Sequence, residues 1–317
     1  MRRLALVVGW TFLALIAHAA SYPAKPVRFV VAFPPGGNAD LMGRLIGQSL
    51  SETFGRQFVI DNRGGAGGVI AEQLVARSAP DGYTILLVSL AHVVNPNLGR
   101  KLTYDPMTDL DPVSLAVSVP NVLVVHKSLA ARSVPELIAL AKSKPGELNY
   151  ASSYATSLHL SGELFKAMAG VDIVYINYKS GGLAVPDIEA GRVQMSFSVI
   201  TTALNMAKSG RTRLLAVTSA KRSAVLPEVP ALAEFLPGYE LTGWQAILAP
   251  AGTPRTIVST LSGAIATMMR KPDLRQKLLG IGASPIGSTP EEFARYRKAE
   301  FAKVTQLASK AGLRTDK

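Results

Sequence analysis

Residues 27–40 read VRFVVAFPPGGNAD, and their composition changes abruptly from apolar to turn-forming. The β-branched and apolar run at 27–33 lies between Pro26 and Pro34, which predicts a buried strand. Apolar residues then recur at helical spacing from 40 to 54. The sequence therefore predicts a strand, a stiff glycine-containing loop and a helix, which together open an α/β sheet.

The loop between that strand and that helix is the first candidate ligand site. Glycine lets a ligand approach the backbone closely, and the first N–H groups of a helix lack internal partners, so helix N-termini bind anions. Ligands of open parallel sheets bind beyond the carboxyl ends of the strands. We therefore expect an anion to contact Pro35, Gly36, Gly37 and Asp40. A tight turn with Asp40 as a helix cap is the structural alternative.

Strand-like and helix-like segments alternate along the rest of the chain. Strands at 58–60 and 83–88 and a helix at 68–76 complete a βαβαβ unit, which implies a parallel sheet covered by helices. A second α/β series occupies residues 133–218. The apolar stretch at 110–125 is interrupted by prolines, and we interpret it as a connection between two lobes.

The order of these segments predicts two α/β lobes with a ligand cleft between them. We assign residues 21–121 and 231–317 to lobe 1, and residues 122–230 to lobe 2. The helical tail is short for an independent domain, so we expect it to return and pack on lobe 1.

Three further loops follow predicted strands and are rich in glycine or hydroxyl groups. Hydroxyls and helix N–H groups together suit a carboxylate, and facing loops would form one cleft at the lobe interface, a common place for small-molecule sites. The candidate residues are Ser89 and His92, then Ser153, Thr156 and Ser157, then Lys179 and Gly181. Alternatively, the histidine is a structural residue, the lysine a solvated charge and one hydroxyl a helix cap.

Residues 1–20 have the features of a secretory signal peptide. Two arginines precede an apolar run at 4–16, and small residues follow at 17–20. The apolar run is shorter than the ~20 residues that span a bilayer. We expect cleavage after Ala19 or Ala20 and a mature chain in the periplasm.

Composition narrows the classes of partner. The chain has no cysteine, which removes disulfides and thiolate chemistry. Its formal charge is +12, which becomes +10 when Arg2 and Arg3 are removed with the signal peptide. The basic residues are scattered and lack interleaved aromatics, so we predict no nucleic-acid partner. A small anionic ligand, or solubility alone, explains the charge balance.

Motifs for catalysis, metals and cofactors are weak. Neither a Gly-x-Ser-x-Gly elbow nor a His-Glu-x-x-His motif occurs, and the histidines beyond residue 20 are dispersed, which disfavours a metal site. Residues 64–68 resemble a dinucleotide loop, but Ile70 occupies the third glycine position and no acid follows at the required distance. We interpret this segment as a tight structural loop and expect neither an enzyme nor a cofactor.

Motifs along the whole mature chain resemble the Bug-type substrate-binding proteins of tripartite tricarboxylate transporters. The matching segments are YPxKPVR at 22–28, FPPGGxxD at 33–40, DNRxGAGG at 61–68, PDGYT at 80–84, LNYAS at 148–152, HLxGELF at 159–165, LAVTSAKR at 215–222 and APAGTP at 249–254. Each segment is weak alone, but together they are highly specific.

This resemblance implies a type II periplasmic-binding-protein fold, a Venus flytrap of two α/β lobes. It implies a monomeric receptor that captures a dicarboxylate, tricarboxylate or related organic acid and delivers it to the membrane subunits of the transporter. It also implies ligand contacts from the candidate loops above. A periplasmic sensor that feeds a receptor kinase needs the same cleft, so it stays an alternative, and a periplasmic enzyme on this fold is a third reading.

Three departures from the family pattern bear on the choice of ligand. Residues 89–92 read SLAH where many relatives have glycine, and residues 152–157 lack glycine but carry the bulky Tyr154. Ser198 stands where many relatives have an aspartate. Because that carboxylate would accept from a ligand ammonium, we predict that a plain acid is preferred over an amino acid, with an aromatic or apolar acid stacked on Tyr154 as one option.

Overall fold

A computed structural model describes residues 22–99, 101–154 and 156–310, without the side chains of Asn38 and Lys310. The signal-peptide prediction lies outside these residues. The described residues form eleven strands: β1 (Val27–Val31), β2 (Phe58–Asn62), β3 (Thr84–Ser89), β4 (Leu110–Val119), β5 (Asn121–His126), β6 (Asn149–Ser152), β7 (Val174–Asn177), β8 (Met195–Val199), β9 (Thr212–Val217), β10 (Gly243–Pro250) and β11 (Ser284–Pro285).

Helices connect and cover these strands. In the described residues they are α1 (Asn38–Phe54), α2 (Val69–Ala76), α3 (Ala91–Val94), α4 (Val134–Ser143), α5 (Ser157–Ala169), α6 (Val185–Glu189), α7 (Ile200–Lys208), α8 (Arg255–Met268), α9 (Pro272–Gly280) and α10 (Pro290–Lys310). None of the helices in this described part is long and apolar enough to cross a bilayer.

Lobe 1 is built on a six-stranded sheet in the order β11-β4-β10-β3-β1-β2. Strand β1 pairs in parallel with β2 and β3, as the βαβαβ pattern predicts. Strand β10 runs antiparallel to β3 and β4, so the sheet is mixed. Because side chains alternate along a strand, Phe29 packs with Met42 and Ile46 on one face, and Val30 packs in the core that contains Trp244 on the other.

Lobe 2 contains a five-stranded sheet in the order β7-β6-β8-β5-β9. Strand β6 pairs in parallel with β7 and β8, whereas β5 runs antiparallel to β8 and β9. Leu123 and Phe197 of the sheet are buried against Phe165 of α5. This arrangement places the start of α5 at the carboxyl end of β6, where a ligand site is expected.

The chain passes from one sheet to the other at Pro120. Residues 110–125, which we interpret as the connection between the lobes, consist of two strands, β4 and β5, with only Pro120 between them. Proline has no N–H to donate to a ladder, so the strand is interrupted there and its continuation joins the second sheet. The predicted return to lobe 1 at residue 231 differs from the packing, since Leu232 and Tyr239 are buried in the core of lobe 2.

The helical tail packs on lobe 1, as predicted. Val258, Leu261 and Ile265 of α8 join the core that covers one face of the first sheet. Phe293 of α10 packs on the opposite face, with its ring 5.9 Å from the ring of Trp244. The tail therefore completes the lobe that carries the Pro-Pro-Gly-Gly loop.

Candidate functional site

A cavity of about 250 Å³ lies where the two lobes meet. Its walls come from the loops after β1, β2 and β3, from the strands that connect the lobes, and from the start of α5. Lobe 1 contributes Phe33, Gly67, Ser89, Leu90, Ala91, Asn95, Val119, Gly243, Trp244 and Gln245, and lobe 2 contributes Asn121, Tyr154, Thr156, Ser157 and Val199.

The cavity walls are uncharged. None of the described side chains that line the cavity belongs to a lysine, arginine, histidine, aspartate or glutamate. Across the same described part of the chain, no three acidic or histidine side chains converge to hold a metal ion. A charged ligand in this cavity must therefore be stabilised by neutral hydrogen-bonding groups.

The start of α5 supplies such groups. Thr156 caps the helix, because its hydroxyl accepts from the N–H of His159 at 3.4 Å and donates to the carbonyl of Ser153 at 2.6 Å. The N–H groups of the first helical residues have no intrahelical partner, and the helix dipole adds positive character at this end. Together with the Ser157 hydroxyl, this end of α5 can hold an anion inside the cavity.

Tyr154 forms the outer aromatic wall on lobe 2. Its side chain is 40% exposed, and its ring lies 5.4 Å from the ring of His159, which stacks on Tyr175 at 4.1 Å. Burial lowers the pKa of His159 to about 4, because desolvation disfavours the imidazolium. The stack is therefore neutral at physiological pH and offers an apolar face to a ligand.

The Pro-Pro-Gly-Gly loop lies at the exposed rim and does not line the cavity. The Gly36 N–H donates to the Asp40 carboxylate at 2.9 Å, and Arg44 pairs with the same carboxylate at 3.1 Å. The backbone bond from Gly36 and the bond from Arg44 lower the pKa of Asp40. Asp40 therefore stabilises the turn of its own loop and, unlike the structural alternative considered for it, does not cap the helix. Gly37, the N-cap of α1, is exposed like Pro35, and no side chain caps this helix.

The glycine-rich loop after β2 is part of the site wall. Gly65, Gly67 and Gly68 have positive φ angles, which glycine adopts without strain, and Ala66 between them also has a positive φ. Gly67 lines the cavity, and its carbonyl accepts from the side-chain amide of Asn95 at 3.0 Å. The interpretation of this loop as purely structural is therefore incomplete.

His92 lies in the interior of lobe 1 rather than in the cavity wall. Its ring is buried, with Nδ1 2.7 Å from the carboxylate of Glu72. The Tyr104 hydroxyl donates to the same carboxylate at 3.0 Å. His92 thus belongs to a buried polar cluster behind the loop after β3, which is the structural role considered for it, whereas Ser89 of the same segment does line the cavity.

The remaining predicted residues of lobe 2 lie outside the cavity wall. The Ser153 hydroxyl donates to the carbonyl of Lys179 at 3.3 Å, and the lysine side chain is exposed. A Cβ added at Gly181 would lie 2.8 Å from Leu158, so this glycine permits close packing. Ser198 is buried and pairs with the Ser196 hydroxyl at 3.0 Å.

No local sequence pattern predicts that the polar residues on the connecting strands belong to the site. Asn121 begins β5, and Trp244 and Gln245 lie near the start of β10; all three are buried. Each looks like an ordinary strand residue when read alone. Only the passage of the chain between the two sheets brings them to the cavity.

Comparisons with known proteins agree with this architecture. A family model described as a tripartite tricarboxylate transporter family receptor matches residues 42–313. The protein BugT of Bordetella pertussis is 35% identical over 98% of both chains. The structure of Rpa4515 of R. palustris with adipate is 40% identical, covers 92% of this chain and 98% of its own, and has a TM-score of 0.79. MatC from Rhodopseudomonas palustris with bound malate is 29% identical, covers 90% and 99%, and has a TM-score of 0.74.

These matches confirm both the predicted family and the two-lobed periplasmic-binding-protein fold. They cover nearly the full length of the relatives as well as of this chain. The chain belongs to the receptor family of the tripartite tricarboxylate transporters.

Proposed function

We propose that this chain is a periplasmic receptor that holds a small organic carboxylate between its lobes and presents it to the membrane subunits of a tripartite transporter. The observation that carries the proposal is the cavity at the lobe interface, into which the capped start of α5 directs hydroxyls. The bound acids of two structural neighbours, adipate and malate, support the ligand class. The chain binds without turnover.

The ligand carboxylate accepts hydrogen bonds from neutral donors in this proposal. The hydroxyls of Ser89 and Ser157 and the N–H groups of the first residues of α5 surround it, whereas the Thr156 hydroxyl donates to Ser153 and holds the start of the helix in place. Hydrogen bonds to a charged partner contribute about 1.5–3 kcal/mol each, so a few of them offset the desolvation of one carboxylate. A lysine or arginine in the wall is not required.

In this proposal, the exposed loops that follow β1, β6 and β7 complete the site when the lobes close. Gly36 and Gly37 of lobe 1 and Ser153, Lys179 and Gly181 of lobe 2 follow strand ends on either side of the opening. A ligand shifts the lobes towards the closed state only by its greater affinity for that state. The exposed N-terminal end of α1 supplies this difference, because its amides reach the carboxylate only after closure.

The absence of an acidic side chain from the described walls favours plain acids. An amino-acid ligand carries an ammonium group that needs an anionic or strong acceptor partner when it is buried. Ser198 cannot replace a carboxylate in that role, and it already pairs with Ser196. We therefore expect malate or adipate to bind more tightly than aspartate or glutamate.

A thermal-shift screen of organic acids, followed by calorimetry, tests this function. A ligand present at about 100 times its Kd stabilises the folded state by roughly 2.7 kcal/mol. We expect at least one carboxylate to raise the melting temperature, and Ser157→Ala to weaken its binding severalfold. If no carboxylate stabilises the protein, or if the alanine variant binds as tightly as the wild type, the proposed site is wrong.

A further inference from the structure

The side of the cavity formed by the connecting strands carries polar atoms without partners. In the part of the chain that the structure describes, Asn121 Oδ1, Trp244 Nε1 and Gln245 Oε1 are buried and make no hydrogen bond. All three residues line the cavity, and their side chains are more than nine-tenths buried. Buried polar atoms are nearly always paired in folded proteins, so three orphans in one cavity point to a missing ligand group.

The orientation of the Asn121 amide is fixed by a neighbour. Its Nδ2 donates to the Ser161 hydroxyl at 3.1 Å, and that hydroxyl in turn donates to the carbonyl of Ser157 at 2.7 Å. This chain of bonds leaves Oδ1 as the free end of the Asn121 amide. The orphan set therefore contains one fixed acceptor, Asn121 Oδ1, and one fixed donor, the indole N–H, together with the Gln245 amide, which no hydrogen bond orients and which can present either its oxygen or its NH2 group.

We infer that this receptor selects a monocarboxylate whose far end carries a hydroxyl group, in preference to a dicarboxylate or an amino acid of the same length. The inference rests on the proposed function, because it assumes that the first carboxylate occupies the start of α5. The orphan atoms of Asn121, Trp244 and Gln245 then meet the opposite end of the ligand.

Hydrogen-bonding capacity decides among the possible far ends. A hydroxyl donates one bond and accepts two, so it can donate to an amide oxygen while it accepts from the indole N–H. A carboxylate only accepts, so it would leave the fixed acceptor Asn121 Oδ1 without a donor and would be repelled by it. An ammonium only donates and would find no anion in the described wall. A methyl group would leave all three atoms unsatisfied, which is costly in a buried site.

The lack of charged side chains in the cavity wall also favours a hydroxyl over a second carboxylate at the far end. A second carboxylate would be buried without any cationic side chain among the described lining residues, and an unpaired buried charge carries a large desolvation penalty. The walls between the two ends are apolar and come from Phe33, Leu90, Val119, Tyr154 and Val199. The middle of the ligand is therefore expected to be an aliphatic or aromatic body.

Three six-carbon acids that differ only at the far end provide the test. They are ω-hydroxyhexanoate, hexanoate and adipate, titrated calorimetrically into the full mature chain at neutral pH. We expect ω-hydroxyhexanoate to bind about tenfold or more tightly than either of the others. Equal or tighter binding of adipate or hexanoate overturns the inference, as does failure of the hydroxy acid to bind when another carboxylate does.

A matched pair of variants localises the effect. Gln245→Leu should reduce the preference for ω-hydroxyhexanoate over hexanoate about tenfold, whereas Gln57→Leu, the same change at an exposed position, should leave it unchanged. An unchanged preference in a folded Gln245→Leu protein contradicts the assignment. If this variant fails to fold, the relative affinities of the three acids for the wild-type protein still test the inference. Tightest binding by adipate would overturn this inference but leave the proposed function standing, whereas the absence of binding by every carboxylate in a wide screen would remove both.

Discussion

Replacing Gly37 by leucine tests whether the N-terminal end of α1 takes part in binding. Gly37 is the exposed N-cap, with φ −89° and ψ 174°, a conformation open to any residue. A Cβ there would meet only the carbonyl of Pro34, at 3.9 Å. The fold therefore accommodates the change, but a leucine side chain would stand in front of the free N–H groups of the helix.

The size of the expected effect follows from those N–H groups. A hydrogen bond to a charged group contributes about 1.5–3 kcal/mol, so the loss of two corresponds to about 3–6 kcal/mol, or at least a hundredfold in Kd. We expect Gly37→Leu to abolish the thermal shift given by the best carboxylate of the screen. The melting temperature without ligand should change little.

Gly263→Leu is the matched control for this experiment. Gly263 lies on the exposed face of α8, where an added Cβ meets nothing within 4 Å. Leucine has a higher helix propensity than glycine, so the control should be at least as stable as the wild type and should keep full affinity. Wild-type affinity in Gly37→Leu would refute the role of the loop at the start of α1.

Three further predictions concern packing, pH and ligand choice. Gly162→Ala should lower the free energy of unfolding by about 1–3 kcal/mol in urea denaturation, because the added Cβ would overlap the ring of Tyr150; Gly263→Ala, in open space, should not. The free energy of unfolding should fall as the pH drops from 6.5 towards 4, since unfolded His159 takes up a proton that the buried ring refuses above its pKa of about 4. His159→Phe should flatten this part of the pH profile and His126→Phe should not. Calorimetry should rank malate or adipate above aspartate and glutamate, and the reverse order would contradict the argument from the uncharged walls.

The sequence predicted the fold well where local patterns and tertiary packing agree. The strand and helix at 27–54 and the cap at Ser133, which accepts from the N–H of Glu136, are present as expected. The proline-interrupted stretch at 110–125 was interpreted as a connection between lobes, and the strands within it were not assigned. Residues 110–125 are two long strands, because Pro120 stands between two sheets rather than inside one ladder.

The candidate site was predictable only where it lies on loops at strand ends. Ser89, Thr156 and Ser157 were chosen by that rule and line the cavity, as does Tyr154, which was singled out as a departure from the family pattern. Their contact with a ligand stays a prediction. The burial of His92 depends on Glu72, twenty residues away along the chain, and no local pattern reveals such a pair.

The cavity residues on the connecting strands could not be predicted from the sequence, for a different reason. Asn121 and Gln245 are polar residues in strand-forming segments, and their neighbourhood is set by how the chain crosses between the lobes. Periodicity indicates which face of a strand a residue occupies. It does not indicate that two strands more than a hundred residues apart border the same cavity.

A crystal structure of the protein with the tightest acid of the screen tests the central claim most directly. The account predicts closed lobes around the acid, with one carboxylate within hydrogen-bonding distance of the Ser157 hydroxyl and the first amides of α5. A carboxylate bound instead to lysine or arginine side chains, or an acid bound outside the interlobe cavity, would contradict it.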